Sequence, residues 1–450
     1  MSRQLFGTDG IRGVAGEPPL DTRTAYALGV ALGQWTRGLA HANGASEVLI
    51  GMDTRESGHW LAEYVAGGLA HSGASSRFAG VITTPGVAYL TRTGPFSAGV
   101  MISASHNPYY DNGLKVISHS GYKLADTVEL ELERGIAEWL ASGDEPHSKT
   151  LKIDAALDNI YTDYLAGTVS GSFPFRVVVD CANGSATQVA PALFNRLGAE
   201  VEWVAVNPDG RNINLDCGSL HLDTLQRRVV ETGADLGIAF DGDADRALFV
   251  GASGKIVDGD AVLFLAGSYL KEAGKLPGDI VVATVMSNLG LQKALEGRGI
   301  TMLRTPVGDK YVLEEMLRQG AMLGGEQSGH VIFSEFATTG DGLLTALRVL
   351  EIVRASGKTL DELSDEIKTF PQKLVNVRVK NKRPLAELDS VQAEIQAAEN
   401  AFNGNGRVVV RFSGTEPLAR VMIEAESHAD VEKWTGRIAD AIRAELGSSA

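Results

Sequence analysis

The chain has 450 residues, too many for one hydrophobic core, so several domains of ordinary size are expected. Apolar residues make up 44% and charged residues 22%, a globular balance, and neither a secretion signal nor a bilayer-length apolar run is visible, so a cytoplasmic protein with no membrane partner is expected. The net charge of −15 argues against nucleic acid, and any anionic ligand must therefore meet a local basic cluster.

Near the N-terminus "LFGTDGIRG" sets Arg12 among glycines, a candidate anion contact. The stretch "VLIGMDTRESGHWLAEYVAGGLAHSGASS" reads as buried strand, polar turn, amphipathic helix, glycine and a return to extended chain. The plan recurs in "RVVVDCANGSATQVAPALFNRLGAEVEWVAV" and "DIVVATVMSNLGLQKALEGRGITMLRTPV", with Gly73, Gly198 and Gly299 where helix C-caps belong. Such alternation predicts parallel or mixed sheets covered by helices.

Between the first two copies lies "VMISASHNPYYDNGLKV". Its "VMI" ends a strand, and Ser103 to Pro108 follow at the carboxyl end, where open α/β sheets bind ligands. The Asn112-Gly113 pair is expected to turn the chain and send Lys115 back toward the loop on a second strand. Neither Ser103 nor Ser105 has the G-x-S-x-G frame of a hydrolase elbow, and His106, adjacent in extended chain, is expected to point away from Ser105. Taken alone, the stretch reads better as a polar turn between strands.

After the second copy, "ADLGIAFDGDADRALFV" places Asp241, Asp243 and Asp245 at alternate positions behind a buried strand. Carboxylates this close repel unless a cation neutralises them, and oxygen ligands suit magnesium or calcium. A calcium EF-hand is excluded, because Arg246 and Ala252 stand where its glycine and glutamate belong. Magnesium is the better expectation, with solvated carboxylates as the alternative. Further on, "LGGEQSGHVIF" offers Glu326, Ser328 and His330 to a polyhydroxy ligand, whereas "SGKT" at 356–359 is no P-loop, since Ile352 replaces its first glycine.

Beyond Thr369 the pattern becomes strand, helix, two strands and helix, a smaller α+β domain. Within it "VRFSGTEPLARVMIE" combines Arg411 and Arg420 with Ser413, Gly414 and Thr415, a set suited to phosphate. Domains are expected over 1–155, 156–255, 256–371 and 372–450. Cys181 and Cys217 fit no metal or redox spacing and are expected to be buried thiols.

In this order the motifs resemble the α-D-phosphohexomutase family, and within it the phosphoglucosamine mutase branch, from Phe6 to Glu424. The resemblance implies an α/β protein of four domains around a central cleft: three related α/β/α units with mixed sheets and a C-terminal α+β unit. By the same resemblance Ser105, heading His-Asn-Pro, carries a phosphoryl group, and Asp241, Asp243 and Asp245 bind one Mg2+ per chain together with it. Glu326 and Ser328 would read the sugar, and Arg411, Ser413, Gly414, Thr415 and Arg420 would hold the phosphate that is not reacting.

The implied reaction interconverts glucosamine 6-phosphate and glucosamine 1-phosphate through glucosamine 1,6-bisphosphate, which also serves as activator, and feeds UDP-N-acetylglucosamine synthesis. Lys115 and His330 are candidates for proton transfer, Arg12 for orientation and Arg246 for added positive charge. The expected partner is a small sugar phosphate, and a homodimer is compatible with the sequence. Alternatives are a glucose or mannose phosphomutase, a magnesium-dependent phosphohydrolase using Ser105, and a non-catalytic sugar-phosphate sensor. Phe412 where proline is common and Lys310 in place of arginine are departures from the family pattern.

Overall fold

The alternation of buried strands and amphipathic helices builds three sheets on one strand plan, in a computed structural model that describes residues 5–7, 9–39, 46–413 and 417–447. The first contains β1 (Ile11–Val14), α1 (Thr22–Gly38), β2 (Glu47–Met52), α2 (Gly58–His71), β3 (Ser75–Val81), α3 (Thr84–Thr93), β4 (Ala98–Ile102), β5 (Asp111–Ser118) and α4 (Asp126–Ser142). Its strand order is β1-β5-β4-β2-β3. After α5 (Ala156–Gly167) come β6 (Arg176–Asp180), α6 (Ala186–Leu197), β7 (Glu200–Val204), α7 (Asp223–Thr232), β8 (Leu236–Phe240), β9 (Ala247–Gly251) and β10 (Ile256–Val257), ordered β10-β9-β8-β6-β7.

The third set is α8 (Gly259–Glu272), β11 (Ile280–Thr284), α9 (Leu289–Gly297), β12 (Thr301–Thr305), α10 (Asp309–Gln319), β13 (Leu323–Gly325), β14 (Val331–Phe333), α11 (Gly342–Ser356) and α12 (Leu360–Ser364), with sheet order β12-β11-β13-β14. In each sheet two neighbouring parallel strands (β2 and β4, β6 and β8, β11 and β13) are followed by an antiparallel return strand (β5, β9, β14). The loops 103–110, 241–246 and 326–330 therefore occupy the same place in three repeats. Each carries one of the chemical motifs.

Packing follows from the same sequence pattern. Helix α1 starts at Asp21, whose side chain accepts from Thr24 N, a cap worth about 1 kcal/mol. It crosses α2 so closely that a Cβ at Gly29 would lie 2.2 Å from Val65 O, and one at Gly68 would lie 2.0 Å from Tyr26 O. Leu28, Leu32, Leu61 and Val65 fill that contact, and truncating such a leucine to alanine typically costs about 2–5 kcal/mol.

Two compact units emerge. One holds the residues up to 285 together with 302–365, and the other holds 286–301, with α9, and the chain from 366 onward. The second unit has β15 (Gln372–Arg378), α13 (Asp389–Phe402), β16 (Gly406–Phe412), β17 (Leu418–Ala425) and α14 (His428–Leu446), with the antiparallel order β15-β17-β16. Val391, Phe402, Val421, Ile423, Trp434 and Ile438 form its core.

Gly73, Gly198 and Gly299 adopt φ of 80°, 74° and 67°, the left-handed geometry expected at helix ends. The expected Asn112-Gly113 turn is not there. Both residues lie inside β5, paired with Gly13 and Arg12 of β1, and the chain reverses earlier, over 104–110. Asn112 is fully buried and donates to Ser57 Oγ, so its amide serves strand packing rather than a turn. Both thiols are buried, and burial pushes Cys217 up to about 12. Among the described residues no helix is long and apolar enough to cross a membrane.

Candidate functional site

The loop after β4 places Ser105 in the left-handed region, φ 52°, with its side chain almost wholly buried. Ser105 Oγ donates to Asp241 Oδ2 at 2.6 Å, which joins the loops of the first two repeats. Gly242 permits this approach, since a Cβ there would stand 2.5 Å from Ser105 O. Ser103 Oγ instead donates to Asp53 Oδ2 at 2.5 Å and accepts from Ser105 N at 2.9 Å. Of the two serines, only Ser105 faces the aspartates.

The separation expected between Ser105 and His106 fails. Their Oγ and Nδ1 lie 3.3 Å apart, because the left-handed turn at Ser105 folds neighbouring side chains together. His106 is lowered to about 4, first by burial and then by the cations Arg246 and Arg12, so it is neutral near pH 7.

Asp241, Asp243 and Asp245 offer oxygens that lie within 4.8 Å of one another. Burial, followed by repulsion from the other two carboxylates, raises Asp241 well above its usual range, and burial with Asp243 raises Asp245. Burial opposes the charge on Asp243 too, but Lys115 Nζ at 2.8 Å and Thr84 Oγ at 2.5 Å outweigh it and hold that carboxyl low. Asp243 Oδ1 and Asp245 Oδ1 are buried and accept no hydrogen bond. Buried, all-oxygen donors without hydrogen bonds, in a mutually repelling set, fit a hard divalent cation.

A charged chain backs this cluster. Lys115 spans Asp243 and, at 3.0 Å, Asp9; Lys123 spans Asp9 at 2.7 Å and Asp309 at 2.6 Å. Arg12 pairs with Asp9 and reaches Ala104 O at 3.4 Å. Burial disfavours the Lys115 ammonium, yet Asp243 and Asp9 raise its pKa well above the usual lysine range. A cavity of about 320 Å³ lined in part by Thr84, Lys115, Lys123 and Asp309 opens beside the chain.

The third repeat contributes its equivalent loop. Glu326 Oε1 accepts from Gly308 N at 3.2 Å, and Gly329 O accepts from Ala247 N at 3.1 Å, which ties this loop to the end of the aspartate loop. Ser328 is half-buried beside it. Buried His330 accepts at Nε2 from Gly340 N, with Asp309 Oδ2 at 3.8 Å and Asp245 Oδ2 at 3.9 Å. Arg246 donates its backbone N–H to Asp241 Oδ1 at 3.2 Å and keeps its guanidinium 3.7 Å from Asp245.

In the second unit Arg411 and Arg420 face each other across β16 and β17. Burial, then the charge of Arg420, lowers the pKa of Arg411, so an anion between them would relieve both. Ser413 N donates to Leu418 O to close the hairpin, and Lys382 Nζ donates to Ser413 O at 2.5 Å. Gly414 and Thr415 lie outside the described residues.

Sequence reasoning missed Asp9, Asp53, Arg55, Thr84, Lys123, Asn214 and Asp309. Asp53 and Arg55 carried a signal, as charged residues in "GMDTRESG" directly behind a buried strand. Asp9 carried one too, three residues before Arg12 in "LFGTDGIRG", whereas Thr84, Lys123, Asn214 and Asp309 are single polar residues brought in from distant segments.

Sequence profiles of the phosphoglucomutase/phosphomannomutase family match four successive segments: α/β/α domain I over 3–142, domain II over 157–254, domain III over 258–370 and the C-terminal domain over 374–441. Phosphoglucosamine mutase of Solibacter usitatus is 59% identical, over 99% of this chain and 100% of its own, and that of Koribacter versatilis is 52% identical, over 99% and 98%. A phosphoglucomutase/phosphomannomutase family protein of Burkholderia thailandensis superposes with TM-score 0.82 at 25% identity, covering 99% of each chain. An N-acetylphosphoglucosamine mutase of Aspergillus fumigatus, solved with GlcNAc-6P and magnesium, shares the fold at TM-score 0.63 and 19% identity, over 98% of this chain and 96% of its own. Full-length identity at this level and four family domains in order lead to one assignment: the chain belongs to the phosphohexomutase family, in its phosphoglucosamine mutase branch.

Proposed function

We propose that this chain interconverts glucosamine 6-phosphate and glucosamine 1-phosphate through a phosphoserine at Ser105. The observation that carries the reading is the 2.6 Å contact between Ser105 Oγ and Asp241 within a buried aspartate cluster. In the forward direction O1 of the sugar attacks the phosphorus, the bond to Ser105 Oγ breaks, and glucosamine 1,6-bisphosphate forms as O1 gives up its proton. After the intermediate reorients, Ser105 Oγ takes the phosphoryl group from O6, the P–O6 bond breaks as O6 takes up a proton, and the sugar leaves as the 1-phosphate.

Asp241, Asp243 and Asp245, with an oxygen of the Ser105 group, would hold one Mg2+, which supplies charge neutralisation to phosphoryl transfer. Lys115 keeps its proton under the pull of two carboxylates and so acts as a fixed cation beside the transferring group. Arg246 adds positive charge, and Arg12 orients the loop through Ala104. Proton exchange with the sugar falls to His330. Arg411, Ser413, Gly414, Thr415 and Arg420 are assigned the phosphate that is not reacting. Free bisphosphate would keep Ser105 charged and so act as activator, and the enzyme would work in the cytoplasm on a small sugar phosphate.

Glu326 and Ser328 are proposed to read the sugar, with the Glu326 carboxylate pairing with the ammonium at C2. Parallel assays on glucosamine, glucose and mannose 6-phosphates should show the highest kcat/KM for the amino sugar. Glu326→Gln should lower that value by about 10-fold more than the value for glucose 6-phosphate, the worth of one charge-assisted contact. Equal losses on both sugars would mean that Glu326 reads a shared hydroxyl.

A further inference from the structure

Behind Ser105 lies a buried polar frame that the proposed chemistry does not use. Arg55, 2% exposed, donates through Nη2 to Ser105 O at 3.1 Å and to Asn107 O at 2.6 Å. Its Nη1 pairs with Asp53, itself fully buried, and Asp53 Oδ2 also accepts from Ser103 Oγ at 2.5 Å. Ser103 Oγ in turn accepts from Ser105 N at 2.9 Å. A closed ring results, running from Ser105 O through Arg55, Asp53 and Ser103 back to Ser105 N. From the other side Asn214 Nδ2 donates to Ser105 O at 2.9 Å and to Asn107 O at 3.1 Å.

The ring is poor value as a stabiliser, because apolar residues of similar volume often replace a buried ion pair without loss. It is well suited to holding a conformation. A serine at φ 52° sits in a region that non-glycine residues occupy only where their surroundings over-determine it, and here both peptide groups of Ser105 are fixed. The two ring residues after β2 and the one after β4 come from neighbouring parallel strands, so the sheet itself sets the spacing of the ring.

We infer that Asp53, Arg55 and Ser103 are positioning residues, assisted by Asn214, which hold Ser105 in its left-handed turn so that Oγ stays against Asp241. The inference rests on the phosphoserine reading above. Misplacing a reacting atom by about 1 Å can cost about 10²-fold in rate, so loosening the ring acts on kcat while substrate binding is spared.

Steady-state kinetics of five variants test this. Ser103→Ala should lower kcat by about 10-fold or more with KM within about twofold of the parent, and should slow phosphorylation of Ser105 by glucosamine 1,6-bisphosphate to the same degree. Ser103→Thr, which keeps the hydroxyl, should recover most of the loss. Asn214→Gly, compatible with the φ of 59° at that position, should give a smaller fall in kcat of about threefold. Arg55→Lys, if it folds, should fall at least as far as Ser103→Ala. Ser105→Ala in the same assay separates the two ideas: if it retains turnover, the phosphoserine reading is wrong. If Ser105→Ala is inactive while Ser103→Ala and Asn214→Gly turn over at the parent rate, or change KM alone, the positioning inference is wrong and the reading stands.

Discussion

Replacing Asp243 with asparagine is expected to lower kcat by about 10³-fold, roughly 4 kcal/mol of barrier, with the fold retained. The side chain keeps its volume, so packing survives. What is lost is a carboxylate that does two things at once: Oδ2 fixes Lys115 and Thr84, and Oδ1 is buried without a protein partner among carboxylates that repel one another. With the charge gone, the cluster attracts a cation less strongly and Lys115 loses its closest anchor. Excess Mg2+ should therefore fail to restore the variant, whereas parent enzyme stripped with a chelator should recover fully when Mg2+ is added. A variant within tenfold of the parent, or chelated parent at full activity, would contradict the role given to the aspartates.

Lys115→Met should cost about 10²-fold in turnover and about 3 kcal/mol or more in stability, because removing one partner of a buried ion pair leaves the others uncompensated. Here Asp243 and Asp9 are left facing each other's charge. The pH dependence of the stability gap has a definite sign. The folded-state pKa of Lys115 is raised, so its contribution is fully present below the unfolded lysine value of about 10.4 and is lost only as pH climbs through the higher folded value. The carboxyls of Asp243 and Asp9 are lowered, so their contribution is present above about pH 4, the unfolded aspartate value, and is lost as acid protonates them. In the parent these pairs should therefore contribute evenly from about pH 6 to 9, and urea unfolding should find the variant less stable than the parent throughout that range. A variant as stable as the parent across that range, or one with parental turnover, would show that the lysine is not the cation holding these carboxylates.

How far the site could be read in the sequence depended on whether its chemistry was local. Asp241, Asp243 and Asp245 stand within five residues behind an apolar strand, and their mutual repulsion is an argument needing no tertiary contact. The repeated strand, helix and glycine pattern likewise announced three α/β units, since each C-cap glycine answers a steric demand of its own helix. Tertiary pairing defeated the rest. Asn112-Gly113 looks like a hairpin turn, yet β1 returns from the N-terminus to pair with it and holds it extended. His106 looked remote from Ser105 until the backbone took the left-handed turn that Arg55, 50 residues away, helps to fix. Asp9, Lys123 and Asp309 form one charged chain although 186 residues separate Lys123 from Asp309. No spacing rule spans such a distance.

The central claim is that Ser105 carries the phosphoryl group and exchanges it with the amino sugar. Enzyme charged with glucosamine 1,6-bisphosphate labelled in both phosphates, freed of excess label and digested, should yield one labelled peptide with the phosphate on Ser105. Adding unlabelled glucosamine 6-phosphate before digestion should discharge that label into bisphosphate and monophosphate sugars within a single turnover. Label on Ser103 or elsewhere, or a label on Ser105 that glucosamine 6-phosphate does not remove at the rate of turnover, would contradict the account.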